Sequence, residues 1–401
     1  MPVTRRTAIG AGLAAGATLA IPSLAFGIAS QKRLVVIVLR GGMDGLAAVA
    51  PVGDPAYQSA RGEIALQRAQ TLPLNSTFGL HPKFTALHTA YTSGELAVIH
   101  ATSTPYRDRS HFDAQNVLET GGTKPYARDS GWLNAALGGL AADQKAGRRE
   151  LGLAIAAQAP LILRGDASVT TWSPSGLPNA DTDTISRLMD LYRRRDPALA
   201  TALDSAVAAN AVAMETGDME KPGQGGRAGY RNIAPLTKAA AGFLKRPDGP
   251  VAAVIDMTGW DTHANQGAET GQLAASFAAL DAGIAALKEE LGPTWRDTAV
   301  LVMTEFGRTV APNGNRGCDH GTASAAFVIG GGVAGGKVIA DWPGLAPNQL
   351  NEGRDLRATT DIRAVLKGVL ADHLGVSNAV LNANAFPDSA AIAPMRGLIR
   401  A

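Results

Sequence analysis

The 401-residue chain carries 37 Lys and Arg against 35 Asp and Glu, a formal charge of +2 that gives no electrostatic footprint for nucleic acid. With 46% hydrophobic and 18% charged residues it is not a disordered polar chain, and its length suits one large α/β domain with insertions or two domains. Cys318 is the only cysteine, which excludes an internal disulfide.

The first element has the parts of an export signal. A basic start at Thr4-Arg5-Arg6-Thr7 precedes an Ala/Gly/Leu-rich stretch from Gly10 to Ile21 and a small-residue region around Ala25. The paired arginines favour the twin-arginine route, so residues 1–29 are expected to be a signal peptide and the product periplasmic or secreted, with the twin-arginine translocase as its partner during export. Its apolar run is shorter than the ~20 residues of a spanning helix, and no stable membrane span is expected. Cleavage near Ala25 or Ala29 takes away both arginines and leaves a neutral protein.

Residues 30–401 are expected to form one domain. Leu34 to Leu39 is a buried strand, followed by the glycine-rich turn Arg40-Gly41-Gly42-Met43-Asp44-Gly45. A helix covers Lys83 to Ser93, a strand runs from Glu95 to His100, and a polar loop from Thr102 to Arg109 feeds a helix beginning near Ser110. Leu151 to Thr171 alternates as strands do, Ile185 to Arg195 and Ala198 to Met214 read as helices, and Gly217 to Tyr230 as a mobile loop. Residues 151–250 hold few candidate catalytic groups and are expected to be a cap or insertion at the substrate entrance. The α/β rhythm then returns, with strands at Val251 to Ile255, Thr298 to Met303 and Ala325 to Ile329, and helices at about Thr270 to Leu291 and Thr360 to Leu374.

Several of these strands deliver carboxylates or imidazoles just past their ends. Asp44 follows the first; Asp256, Asp261 and His263 follow the next; Glu305 follows a third, with Asp319 and His320 shortly after. Strand C-terminal edges of an open α/β sheet are where ligands bind, and mixed Asp, Glu and His sets suit divalent metals. Each group also has an ordinary role. Asp44 before Gly45 suits a turn, Asp261 a helix cap, and Arg308 either an anion or a salt bridge to Glu305. Ser110 and Asp113 fit a capping pattern, though the same position offers an anion free N–H groups. His111 fits a ligand, a general acid or a packed helix residue, whereas His81, His88, His100 and His373 read as structural.

Arg40 to Leu46, Arg109 to Gln115, Gly259-Trp260-Asp261-Thr262-His263-Ala264-Asn265-Gln266, Thr304 to Thr309, Asn313-Gly314-Asn315 and Asp319-His320-Gly321-Thr322 occur in this order along the chain. Together they resemble a family of twin-arginine-exported bacterial proteins of unknown function, domain-of-unknown-function family 1501, placed with the alkaline phosphatase/sulfatase superfamily. The resemblance implies an alkaline-phosphatase-like, doubly wound α/β sandwich with a mainly parallel central sheet. It also implies divalent metal, zinc first, with manganese, calcium or magnesium as alternatives. Asp44, Asp261, His263, Glu305, Asp319 and His320 would be ligands to one or two ions. Ser110 would be the nucleophile, with His111 and Arg308 as catalytic partners. Glu305-Phe306 stands where phosphatases have an Asp-His pair, which removes a nitrogen ligand and weakens one ion. Ser103-Thr104-Pro105-Tyr106-Arg107 spells the serine form of a sulfatase motif and makes Ser103 the rival nucleophile. The expected activity is hydrolysis of small anionic phosphate or sulfate esters; the alternative is a non-catalytic binding or assembly protein on a degenerate scaffold of this kind.

Overall fold

The apolar run Leu34 to Leu39 lies at the centre of the molecule. All six side chains are fully buried, the odd-numbered ones on one face of a sheet and the even-numbered ones on the other, as the two-residue period of a strand dictates. In this computed structural model, residues 31–174, 181–215 and 231–400 are described. The expected signal peptide and the glycine-rich 217–230 segment lie outside them.

Nine strands among the described residues form the main sheet: β1 (Arg33–Arg40), β2 (Leu96–Ser103), β3 (Gly152–Ile155), β4 (Val169–Trp172), β5 (Ala252–Thr258), β6 (Thr298–Thr304), β7 (Ser324–Ile329), β8 (Lys337–Ile339) and β9 (Thr360–Asp361). Their spatial order is β8-β2-β7-β6-β1-β5-β3-β4, with β9 beside β2. Strand β7 is antiparallel to both neighbours; every other pairing is parallel. In register, Val36 faces Val254 on one side and Leu301 on the other.

Helices cover both faces. α1 (Thr85–Thr92), α4 (Ala234–Leu244) and α5 (Gln272–Leu291) bury their apolar stripes against Val35, Ile37 and Leu39. α2 (His111–Thr120), α3 (Trp132–Gly138) and α6 (Ile362–Leu374) do so against Leu34, Val36 and Val38. Each fully buried aliphatic or aromatic side chain contributes roughly 1.5–3 kcal/mol to this sandwich. The expected α/β sandwich with a mainly parallel sheet is therefore the architecture found.

Parts of the 151–250 segment, expected to be a cap or insertion at the substrate entrance, are built into the central sheet and its cover. Strands β3 and β4 extend the central sheet, and α4 covers one face, so these parts are scaffold. The helices Thr182–Arg195 and Pro197–Glu215 stand outside the sheet. Among the described residues no helix is long and apolar enough to cross a membrane.

Strands β1, β2, β5 and β6 run in one direction, so their C-terminal ends share an edge. The turns that follow them carry most of the candidate residues.

Candidate metal centre

Three excursions meet at that edge. The turn after β5 carries Asp261 and His263. The long loop after β6 doubles back, so that Thr309 N–H donates to Asp319 O (2.9 Å) and Gly321 N–H to Gly307 O (2.9 Å), which sets His320 opposite Arg308. The two loops are zipped together by Asn265 N–H to Asn315 O (2.9 Å), Gln266 N–H to Arg316 O (2.9 Å) and Cys318 N–H to Thr262 O (3.1 Å). The third excursion leaves β2 and reaches Arg109, a non-glycine residue at φ 59°, immediately before α2. That left-handed turn aims the Arg109 carbonyl at His320 and delivers His111 as the first residue of the helix.

The three imidazoles are oriented alike. His111 Nδ1 lies 2.8 Å from Glu305 Oε1, His263 Nδ1 is 3.1 Å from Asp319 Oδ1, and His320 Nδ1 is 2.9 Å from the Arg109 carbonyl oxygen. All three partners are acceptors, so each ring donates from Nδ1, and a neutral ring then keeps a lone pair on Nε2. Those Nε2 atoms converge on Asp261 Oδ1, at 3.5 Å from His111, 2.9 Å from His263 and 3.4 Å from His320. His263 and His320 place their Nε2 atoms 3.0 Å apart. Buried His111 Nε2 has no hydrogen-bond partner. His111, Asp261 and His320 each offer a ligand atom within 4.8 Å of the others, and among the described residues this is the group of at least three that could hold a metal ion. His263 abuts two of its members.

Converging lone pairs repel one another unless a cation or proton lies between them. The separations of 2.9 to 3.5 Å bracket the edge of about 3.4 Å expected for a tetrahedron with ~2.0–2.1 Å bonds to nitrogen and oxygen. The donor set thus fits a divalent ion of the zinc type. The acceptor behind each ring fixes its tautomer and raises its basicity, as such partners do in metal sites.

The local charges agree with this division of labour. Burial pushes the Glu305 carboxyl up, but hydrogen bonds from His111, Gln115 and Gly41 N–H outweigh it and hold the acid below its ordinary range. Burial likewise opposes ionisation of Asp261, and the Arg308 guanidinium beside it overcomes that and holds its carboxyl low. The Asn313 amide, 3.0 Å from Asp319 Oδ1, leads in keeping Asp319 ionised. Burial, then His111 and Arg308, push the His320 imidazole down and keep it neutral and able to coordinate.

The expected site residues fall into two groups. Asp261, His263, Asp319, His320, Glu305 and His111 come together, but Glu305 and Asp319 stand behind histidines, with their oxygens on His111 and His263 rather than aimed at the centre. Asp44 and Arg308 depart from their expected roles. Asp44 Oδ1 accepts from Leu46 N–H and Ala47 N–H (both 3.1 Å) to cap a short helix, and Oδ2 is held by Arg61 (2.5 Å) and Gln266 (2.7 Å). Its carboxylate is buried and engaged in structure, and it is not in the group whose atoms could hold an ion. Arg308 is also buried. Its donors go to the carbonyls of Gly42 (2.7 Å), Cys318 (3.1 Å), Trp260 (3.2 Å) and Gly41, and to Asp261 (2.5 Å). It ties the loops together and pairs with Asp261, where a salt bridge to Glu305 or a grip on a substrate anion was expected. Asp256 lies within β5 and pairs with Arg40 at 2.9 Å, so it is no rival ligand.

Ser110 is the N-cap residue of α2, yet its side chain makes no capping hydrogen bond. Ser103 ends β2 and its Oγ accepts from Arg107 at 3.1 Å. His81, His88, His100 and His373 each hold a backbone carbonyl, of Ala268, Pro73, Val49 and Arg33 respectively, which is the structural role expected of them. The residues that reasoning from sequence missed are supporting ones: Arg61, Gln115, the Arg109 carbonyl and Asn313. Asn313 and Gln115 lie inside motifs that were legible, but nothing in the motifs assigns them a histidine or a carboxylate to hold.

Comparison with solved structures gives distant likenesses. The lipoteichoic acid synthase LtaP from Listeria monocytogenes matches with a TM-score of 0.40 at 12% identity, over 89% of this chain and 77% of that one. A phosphonate monoester hydrolase of Agrobacterium radiobacter matches with 0.32 at 12% identity, over 86% and 74%. BT1596, a 2-O GAG sulfatase, matches with 0.35 at 9% identity, over 90% and 72%. Among curated proteins none matches this chain. The family model described as "Protein of unknown function (DUF1501)" matches residues 31–384, nearly the whole described domain, and the chain belongs to that family.

Proposed function

We propose that this protein is a metal-dependent hydrolase of phosphate or sulfate esters that uses Ser110 as its nucleophile. The observation that carries the reading is the convergence of three imidazole Nε2 lone pairs on Asp261 Oδ1, each ring held from behind by an acceptor. His111, Asp261 and His320 would hold the ion, with His263 closing the set. A bound divalent ion would supply Lewis acidity toward the ester oxygens and the attacking hydroxyl. Ser110 precedes a ligand in the chain, and its hydroxyl is not engaged in capping. The first N–H groups of the ten-residue helix α2 would then receive the anionic oxygens, the part first expected of Arg308. In the first step the Ser110 oxygen bonds to phosphorus or sulfur while the ester bond breaks. The leaving oxygen departs with the electron pair and is protonated, and the serine proton passes to solvent. Water then cleaves the serine ester and restores the hydroxyl. Phosphate is favoured over sulfate because an unmodified serine suffices for it. Export by the twin-arginine route belongs to the same proposal and rests on the Arg5-Arg6 leader.

The test is metal content of protein purified without chelator, joined to a screen of aryl phosphate, phosphodiester and aryl sulfate substrates. About one divalent ion per chain is expected, with ester turnover, and both should be lost in His111→Ala and Asp261→Ala. Protein that neither carries nor takes up Zn, Mn, Ca or Mg would leave the non-catalytic binding reading in its place. Turnover that survives Ser110→Ala and disappears in Ser103→Ala would move the nucleophile to Ser103.

A further inference from the structure

Two segments distant in sequence present His320 to the centre, and one fully buried carboxylate, that of Asp355, holds both. Asp355 Oδ2 accepts from Arg109 Nε at 2.8 Å and from Thr322 Oγ1, two residues beyond His320, at 2.9 Å. Arg109 Nη2 lies 2.8 Å from the same oxygen. The loop that carries Asp355 is closed on itself: Asn351 N–H donates to Asp355 O at 2.8 Å and Asp355 N–H to Asn351 O at 3.0 Å. It is tied to the loop after β6 by Val310 N–H to Arg354 O at 3.2 Å, and Arg354 donates to the His320 carbonyl at 2.7 Å. Asp355 therefore stands on a braced part of the fold.

Arg109 needs such an anchor. Its φ of 59° is a left-handed conformation that a residue with a Cβ keeps only when its surroundings hold it there. That conformation brings the Arg109 carbonyl oxygen to 2.9 Å from His320 Nδ1. The other carboxylate on this guanidinium, Glu352, is 65% exposed, so water competes for it and its grip is weak.

We propose that Asp355 is a positioning residue of the metal centre: by gripping the Arg109 side chain it keeps the left-handed turn, and through that turn it keeps His320 donating from Nδ1 with its Nε2 lone pair toward Asp261. The inference rests on the metal-centre part of the proposed function and adds the residue that sets the geometry of one ligand. Without the ion pair, Arg109 is free to return to a negative φ, which swings its carbonyl away from the ring. His320 then loses its acceptor, its tautomer is no longer fixed, and the ion loses a preorganised ligand.

The experiment uses the full chain and two readouts. One is zinc affinity, by competition against a chelator; the other is the tautomer of His320 in metal-free protein, read from its ring 15N shifts and assigned by their loss in His320→Gln. Asp355→Asn should weaken zinc binding about 10–100-fold and average the His320 ring between its two tautomers. Glu352→Gln, at the exposed partner, should change affinity less than about threefold. Arg109→Gly added to Asp355→Asn supplies a residue that takes positive φ without steric cost and leaves no buried charge unpaired. This double variant should return zinc affinity to within about threefold of the parent and restore the single tautomer. Asp355→Asn protein that binds zinc as the parent does overturns the proposal. So does a folded double variant that stays about tenfold or more weaker than the parent, because the loss then comes from a loosened loop and not from the turn. If Asp355→Asn alone does not fold, the double variant decides by the same criterion. A parent that takes up no zinc, but whose single His320 tautomer is averaged by Asp355→Asn, sinks the metal reading and leaves the positioning role standing.

Discussion

Glu305 and Asp44 both follow buried strands and both are buried themselves, yet they answer to different neighbours. Glu305 Oε1 collects Gly41 N–H, His111 Nδ1 and Gln115 Nε2, so its charge is directed into one imidazole of the metal centre. Glu305→Gln keeps the shape and loses the charge. It should lower metal affinity about 10–100-fold with little effect on folding, as measured by competition against a chelator and by chemical denaturation. Asp44→Asn should do the reverse. Removing one member of the buried pair with Arg61 leaves an uncompensated guanidinium and costs about 3–5 kcal/mol of stability, while metal affinity stays within about threefold. If Asp44→Asn instead empties the site in a stable protein, Asp44 is a ligand after all. The spacing of Asp261, His263, Asp319 and His320 after their strands was enough to place them in one cluster. It could not tell Asp44 apart from them, because what distinguishes it is Arg61 and Gln266, and Gln266 lies 222 positions away in the chain.

At the level of elements, the turn that follows β1 acts as a wedge. Gly41 adopts φ +119°, and a Cβ placed there would stand 2.7 Å from the Asp261 backbone nitrogen. The close approach that this glycine permits is to the neighbouring turn that carries Asp261. Gly41→Ala should therefore push Asp261 away from the imidazoles, lowering metal affinity together with a stability loss above about 1 kcal/mol. Gly62→Ala is the matched control. Its φ of +53° carries the conformational penalty, but nothing lies within 4 Å of the added carbon, so stability should fall and metal affinity should not. Calorimetric unfolding and metal titration of the two variants separate strain from displacement. Long buried strands such as β1, β5 and β6 were legible because continuous apolar runs leave little choice. Strands β3 and β4 were not assigned to the sheet, since four residues each carry too short a pattern to reveal a partner. The antiparallel course of β7 is also silent in sequence, because direction depends on how the long loop after β6 returns.

Across the whole molecule, two deeply buried histidines outside the candidate centre, one on each side of the sheet, add to the response to acid. His100, in β2, stacks on Phe78 with ring centroids 5.3 Å apart and bonds the Val49 carbonyl oxygen at 3.0 Å. His373, in α6, bonds the Arg33 carbonyl oxygen at 2.8 Å. Burial is the leading cause in both cases and pushes each imidazole down to about 4. Between pH 6.5 and 4 the unfolded chain binds protons at these positions and the folded chain does not. Their contribution is thus fully present above pH 6.5 and is lost as pH falls toward 4. Each ring accounts for something on the order of 3 kcal/mol by this route, against a total of roughly 5–15 kcal/mol for a folded domain. The carboxylates of the centre work in a lower window. Glu305, Asp261 and Asp319 are held below their ordinary values, so their contribution fades only once pH passes below the usual carboxylate range. Chemical denaturation of the metal-free protein at successive pH values should show stability falling steadily from pH 6.5, well before those acids protonate. His100→Gln and His373→Gln should each flatten that decline, even where they lower stability at neutral pH. A stability curve that stays level down to pH 4.5 in the parent protein would show that neither imidazole resists protonation in the folded state, and would remove burial as the source of its acid sensitivity.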